Sequence, residues 1–282
     1  MSNSAKHHYV PKAILRNFRV QGDSVLYATR EKPKPTLRNI DSIFRRIRYN
    51  SVQKKDGSHD DTVERFFAEE LDNYIPDWVT QFSAVKSAGS IKFQKTASRG
   101  RFIQFFYNHM KRTPDFIEPI AASVAEEVFA RDLVNEFEAK NGPMTQEGIN
   151  LLEDEAFRAR TLANVRVTNF SQQSEKIMST LANLRIVVAV PSNLKKTFVV
   201  GSQPVARFED YPFQPLGEKG VELWTSLAPK LAVGFVASRL EDGPISLNDL
   251  AVRKLNIAFA RNSRAIASTS GKLILSLATS EW

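Results

Sequence analysis

Arg185-Ile186-Val187-Val188-Ala189-Val190 decides the fold class. The run is apolar and rich in β-branched residues, so it reads as a strand, and it is far too short to span a bilayer. Upstream of it, apolar residues recur at spacings of three and four, the signature of helices with one buried stripe. Downstream, Phe198–Val200, Val221–Thr225 and Leu231–Ala237 repeat the strand character. A helical middle followed by a β-rich end, with no strong linker and no internal repeat, makes one α+β domain over 1–282 the economical reading. About four to five helices should pack on a mostly antiparallel sheet built from an N-terminal strand or hairpin and the C-terminal strands. Three regions result: a basic segment over 1–56, a helical region over 60–183 and a β-rich region over 184–282.

In the helical region, Val63, Phe66, Phe67, Leu71, Tyr74, Trp78 and Phe82 form the first stripe. Pro76 should kink or restart that helix. A second helix over Ser98–Lys111 buries Phe102, Phe105, Phe106, His109 and Met110, and Pro114 ends it after Arg112-Thr113. A third is expected over Asp115–Lys140, with its stripe running inward from Ile117 and Ile120 to Phe137, up to the stop at Asn141-Gly142-Pro143. A fourth element starts at Thr145, and a long helix then continues to Asn183 with a break near Glu153–Ala156. In the β-rich region Gly201-Ser202-Gln203-Pro204-Val205 reads as a turn and Tyr211–Pro215 as a rigid loop. Ser246 is read as the cap of a helix over Leu247–Ala267, and Leu273–Leu277 as a last strand.

The N-terminal segment holds the chain's charge asymmetry. The first 56 residues carry thirteen Lys/Arg and four Asp/Glu, a net of +9. The total of +8 therefore leaves −1 for everything else. Charge gathered into one segment points to nucleic acid or another polyanion as partner; the plainer alternative is a solvated basic edge. Within it, residues 1–6 read as disordered, and Pro11 suits the first position of a short helix through Phe18. His7 and His8 lie just before that helix start, where free N–H groups favour anions. A strand over Val25–Thr29 and an extended Lys32–Pro35 connector follow. Arg38, Arg45, Arg46 and Arg48 then interleave with Ile40, Ile43, Phe44, Ile47 and Tyr49. That pattern suits backbone phosphates and stacked bases, or equally an edge element with one buried side.

The chain has no Cys, which excludes disulfides, thiolate metal sites and a Cys nucleophile, and fits a cytoplasmic protein. The polar N-terminus reads as no signal peptide. No phosphate-binding glycine loop, zinc-protease motif or serine-hydrolase elbow is present. No resident cofactor is implied. His59-Asp60-Asp61 with Glu64 offers oxygen ligands for a hard divalent cation, a spacing that also arises by chance.

With His7-His8-Tyr9-Val10-Pro11 followed by Leu15-Arg16-Asn17-Phe18, the chain resembles a widespread bacterial family of uncharacterised proteins, a domain of unknown function that opens on a His-Tyr-Val-Pro signature. Further points of similarity are the acidic helix Val63–Glu70, the Arg112-Thr113-Pro114 helix end, a strand leading into a Pro-Val turn, and Ser226-Leu227-Ala228-Pro229. The family turn commonly reads Ser/Thr-Asp-Asn-Pro-Val. Here it is Gly201-Ser202-Gln203-Pro204-Val205, with Ser202 in the Asp position. The resemblance implies a shared architecture and candidate positions, and no reaction.

Two functional expectations follow. The first is a nuclease-like phosphodiesterase, with His8 as acid/base, Glu64 orienting it or acting as second acid/base, Arg16 and Arg112 on the phosphate, and Gln203 positioning substrate. Arg16, Lys34, Arg38, Arg45, Arg46, Arg48, Lys54 and Lys55 would hold the polyanion. The second is a non-catalytic nucleic-acid-binding module in which the opening motif serves structure alone.

Overall fold

In the computed structural model, which describes residues 5–128, 131–210, 214–238, 241–280 and 282, the run that opens the β-rich region forms the second strand of a five-stranded sheet. In chain order the elements are β1 (Lys6–His8), α1 (Lys12–Asn17), β2 (Ser24–Thr29), β3 (Thr36–Asn39), β4 (Arg45–Ile47), β5 (Val52–Gln53) and β6 (His59–Asp60). Then come α2 (Thr62–Phe66), α3 (Ile75–Ala88), α4 (Arg99–Lys111), α5 (Pro114–Val128), α6 (Arg131–Asn141), α7 (Gln146–Glu153), α8 (Glu155–Ser171) and α9 (Glu175–Asn183). The remainder is β7 (Arg185–Pro191), β8 (Val200–Gly201), β9 (Val205–Phe208), β10 (Glu222–Ala228), β11 (Leu231–Val236), β12 (Gly243–Leu247), α10 (Asp249–Arg261), β13 (Ala265–Ser268) and α11 (Gly271–Ser280). The fold is α+β.

The larger sheet runs β12-β7-β11-β10-β9, antiparallel except for the parallel β12–β7 pair. β7 is apolar from Ile186 onward, as suits a strand with both faces covered. Ile186 and Val188 face a core shared with α3, α4 and α1, while Val187 and Ala189 face a second core under α10 and α11. On the first side Trp78, Phe102, Phe105, Phe106 and Phe235 pack at centroid distances of 4.6 to 6.3 Å, tying α3 and α4 to β11. Burying each such ring stabilises the fold by roughly 1.5–3 kcal/mol. Gly234 admits the Trp224 indole, since a Cβ there would lie 2.5–2.7 Å from that ring. The second sheet, β3-β2-β13-β8, joins N-terminal strands to C-terminal ones. Two small pairs complete the β structure: β1–β4 and β5–β6.

Several expectations change. Lys6 is the first residue of β1, so the opening is a strand rather than a disordered arm; residues 1–4 lie outside the described residues. The first long helix divides at a π-turn over Phe67–Leu71 and a 3₁₀ turn over Asp72–Tyr74, with Pro76 at the start of α3. The long helix to Asn183 breaks again at 172–174, where Ser174 caps α9. The third helix is described as α5 and α6; residues 129 and 130 lie outside the described residues. Its stripe is only partly inward, for Ile117 is buried but Ile120 and Phe137 are 43% and 50% exposed. Asn248, not Ser246, caps α10, which ends at Arg261 so that 265–268 pairs as β13. The expected strand Leu273–Leu277 is part of α11: Ile274 and Leu277 are buried and Leu275 is exposed, an i, i+3 stripe that a short apolar run does not distinguish from a strand. Of the loop read over Tyr211–Pro215, residues 211–213 lie outside the described residues. Among the described residues no helix is long and apolar enough to cross a membrane.

Candidate functional site

The site builds up around one corner, Arg112-Thr113-Pro114-Asp115, where α4 passes into α5. Pro114 forbids α4 from continuing, so the chain turns there and α5 begins. Polar side chains gather on two sides of this corner.

On the first side Arg112, only 2% exposed, forks onto Asp72, with Nη2 to Oδ1 at 2.9 Å and Nη1 to Oδ2 at 3.2 Å. Its guanidinium also lies over the Phe67 ring, 5.1 Å from the centroid. Asp72 reaches it because the π-turn shifts the helix register at Phe67–Leu71. His7 points into the same region: Asn50 N–H donates to its Nδ1 at 3.0 Å, so the ring proton sits on Nε2. Glu64 Oε2 lies 3.9 Å from that Nδ1 and accepts from Asn50 Nδ2 at 2.6 Å. Burial pushes the Glu64 carboxyl above its ordinary range, against the pull of Asn50, His7 and Arg112. His109, one turn before Arg112, is fully buried and stacks on Phe105 at 5.0 Å. Burial holds it well below its usual pKa, hence neutral, and both its ring nitrogens lack a partner among the described residues. Arg112 Nε and Asn50 Oδ1 are likewise buried and unpartnered.

The second side is richer in tyrosine and arginine. Thr113 donates its hydroxyl proton to Gln203 Oε1, and Ser202 donates to Asp115 Oδ2. Ser202 Oγ in turn accepts from the Arg264 and Ala265 amides at 2.9 and 3.1 Å. Gly201 lets the turn close on α10, since a Cβ there would lie 2.9 Å from the Phe259 carbonyl. Arg264 bridges Asp115 and Glu118, each at 3.3 Å, and Arg46 also holds Glu118. The Tyr49 ring lies beneath Arg166 and Arg46, at 4.2 and 5.5 Å, and 6.3 Å from the Tyr9 ring. The Tyr27 ring packs on Phe44 at 5.5 Å. Burial raises the phenol pKa of Tyr9, Tyr49 and Tyr27, so all three are hydroxyl donors at neutral pH. Phe44 and Arg48, at φ 49° and 50°, bend the chain at either end of β4 to wrap it around β1. Bulky residues seldom adopt that region, so the wrapping costs about 1–3 kcal/mol apiece. A groove of about 580 Å³ opens beside this side, lined by Phe116, Ile120, Val205, Leu223 and Gln203 among others.

The placement of the expected residues is therefore uneven. Alternation along β1 sends His7 inward and His8 the other way, so Glu64 and Arg112 gather with His7 and not with His8. His8 Nε2 donates to the Ile40 carbonyl at 3.2 Å, and burial lowers its pKa to about 4. A ring that is neutral and tied to a backbone carbonyl is poorly suited to the acid/base role expected of it. Arg112 is consumed by Asp72, and Gln203 faces Thr113 on the other side of the corner. Arg16 is exposed on α1, whose Asn17 donates to the Leu227 carbonyl at 2.9 Å and anchors the helix to β10. Lys34, Arg38, Arg48, Lys54 and Lys55 are exposed and Arg45 half-buried; like Arg16, none makes an ion pair with a described residue, whereas Arg46 does. The acidic cluster does not converge on a cation. Asp60 caps the Thr62 amide at 2.9 Å, Asp61 accepts from Ser51 at 2.5 Å, and Glu64 faces Asn50. Among the described residues no group of three or more His, Cys, Asp or Glu is placed to hold a metal ion. Asn50, Asp72, Asp115, Glu118, Arg166 and Arg264 carried no local signal, since each acquires its partner across more than ten residues of chain.

The comparisons support the expected family. A family model described as a protein of unknown function, DUF4238, matches residues 6–270. Neither a curated protein nor a solved structure matches the chain.

Proposed function

Since the chain belongs to the DUF4238 family, whose function is not described, we propose a reading from its own residues: a non-catalytic module that binds nucleic acid through its basic N-terminal lobe. The observation that carries it is the set of outward cations without carboxylate partners: Arg16, Lys34, Arg38, Arg45, Arg48, Lys54 and Lys55. Other cations of the segment are paired, as Lys12 is with Asp41 at 2.7 Å and Arg46 with Glu118. Unpaired ones concentrated in one segment attract a polyanion and release its counterions. Lys12 and Arg45 add to the field around His8, and Lys12 and Arg16 to that around Asp41.

The test is fluorescence anisotropy with labelled single-stranded RNA and DNA across a salt series. Binding should fall steeply with salt. Replacing Arg38, Arg45 and Arg48 with Ala should weaken it and flatten the log–log slope by about two to three. His8→Ala should leave it intact. Salt-independent binding, or none, defeats the reading.

One observation favours a hydrolytic alternative: a carboxyl raised by burial, Glu64, stands 3.9 Å from the His7 ring. Incubating the same oligonucleotides with and without divalent metal separates the two. Product that Glu64→Gln abolishes supports the alternative.

A further inference from the structure

Asp115 and Glu118 share one arginine but are held very differently. Asp115 is 7% exposed at its side chain, accepts from Ser202 and from the Arg264 amide at 3.2 Å, and meets Arg264 Nε at 3.3 Å. It belongs to the frame of the corner. Glu118 is 31% exposed, and its described partners are two guanidiniums, Arg46 and Arg264, themselves 41% and 62% exposed. No described hydroxyl or backbone amide holds it. Solvent-facing ion pairs of this kind contribute little, so the carboxylate is easily exchanged for another anion.

What surrounds Glu118 is more elaborate than a surface ion pair requires. The buried Tyr49 ring is approached by Arg166 and Arg46 at 4.2 and 5.5 Å, and its hydroxyl is buried with no partner among the described residues. Arg166 Nε is buried and unpartnered as well. Tyr9 stands next to Tyr49, and Tyr27 beyond it across Phe44. The charged groups facing this place are Arg46, Arg166 and Arg264 against Asp115 and Glu118, a net of +1 that becomes +2 if Glu118 is displaced. Guanidinium forks, phenol hydroxyls and aromatic faces in one place are the chemistry that grips a phosphate and stacks a base.

We propose that the Arg46–Arg264 fork beside Tyr9, Tyr27 and Tyr49 is the phosphodiester seat of a single-stranded polynucleotide, and that Glu118 occupies it in the free protein as an internal anion. The inference rests on the nucleic-acid-binding reading above and adds its central contact and a built-in competitor. A strand phosphate entering the fork takes both arginines from Glu118, which swings to solvent, and the adjoining bases lie against the half-buried Tyr9 and Tyr27. Competition of this sort raises the salt and affinity threshold for binding, so short or weakly charged ligands are excluded.

The experiment measures anisotropy of a labelled single-stranded RNA with the wild type, Glu118→Gln, Arg264→Met and Tyr49→Phe, with thermal unfolding of each variant as control. Glu118→Gln removes the competitor but keeps the shape, so it should bind about five-fold tighter. Arg264→Met should bind more weakly, and Tyr49→Phe, which keeps the ring and deletes only a buried hydroxyl, should bind as the wild type does. If the wild type binds and Glu118→Gln, still folded, binds equally or more weakly, the inference is overturned and the nucleic-acid reading stands. Should Glu118→Gln fail to fold, Arg264→Met decides: unchanged affinity overturns the inference. If no variant binds any oligonucleotide, both fall. A response to a mononucleotide with none to the oligomer overturns the assignment to a strand.

Discussion

Replacing either member of the Arg112–Asp72 pair tests whether this arginine serves the fold or a ligand. The guanidinium is 2% exposed and the carboxylate 22% exposed. Removing one partner of a buried pair costs about 3–5 kcal/mol, because the other charge is left without compensation. Asp72→Ala strands a nearly inaccessible guanidinium over the Phe67 ring and should sit near the top of that range. Arg112→Met keeps most of the volume and leaves a carboxyl that is partly wet and already raised by burial, so protonation softens the loss to about 3 kcal/mol. The double variant carries neither charge. It should therefore be more stable than Asp72→Ala alone, with a coupling of about 2 kcal/mol or more. The assay is urea unfolding followed by tryptophan fluorescence, to which Trp78, packed on Phe102 and Phe105, reports directly. At 282 residues each kcal/mol corresponds to roughly 2–4 °C in Tm. Two additive single effects, or an Arg112→Met protein of unchanged stability that no longer binds polyanions, would refute the reasoning.

Other perturbations probe separate parts of the structure. His8, with its pKa lowered to about 4, stays neutral when folded, while the unfolded chain takes up a proton below about 6.5. Its contribution is present at neutral pH and lost as pH falls from about 6.5 toward 4, a gap of roughly 3 kcal/mol at most. His8→Gln should remove that part of the acid sensitivity, read as the difference in urea midpoint between pH 7 and pH 5 relative to wild type. Ser202→Ala leaves Asp115 without its hydroxyl donor and the Arg264 and Ala265 amides without their acceptor, and should cost about 2 kcal/mol in the same assay. Gly234→Ala drives a methyl into the Trp224 indole and should cost about 1–3 kcal/mol, with a shift in tryptophan emission.

The α+β class, the helical middle and the basic N-terminal lobe were legible in the sequence because they follow from local periodicity and from a sum over charges. The stops were equally legible, for Pro114 ends α4 and Asn141-Gly142-Pro143 ends α6, whereas the cap of α10 is Asn248 and not Ser246. Where local rules were ambiguous the reading slipped. Leu273–Leu277 is a short apolar run that fits a strand or a helix, and only its i, i+3 pair Ile274 and Leu277 is buried. His7 and His8 are chemically identical neighbours, and only the pairing of β1 with β4 settles which of them turns toward Glu64 and Arg112.

By itself, then, the sequence determined most of the helices and the strands β2, β7, β10 and β11, where the positive charge lies, and that Arg112, Glu64 and Gln203 are chemically capable of site chemistry. The tertiary structure alone decided how those groups are used. Arg112 finds Asp72 across 40 residues, Gln203 finds Thr113 across 90, and Arg264 finds Glu118 across 146. Such pairings depend on the packing of the two cores, which brings distant backbone together, and no local propensity encodes them. Burial then sets the rest: it takes the guanidinium of Arg112 out of reach of any phosphate, keeps His8 neutral, and leaves the Glu118 carboxylate at the surface between two arginines.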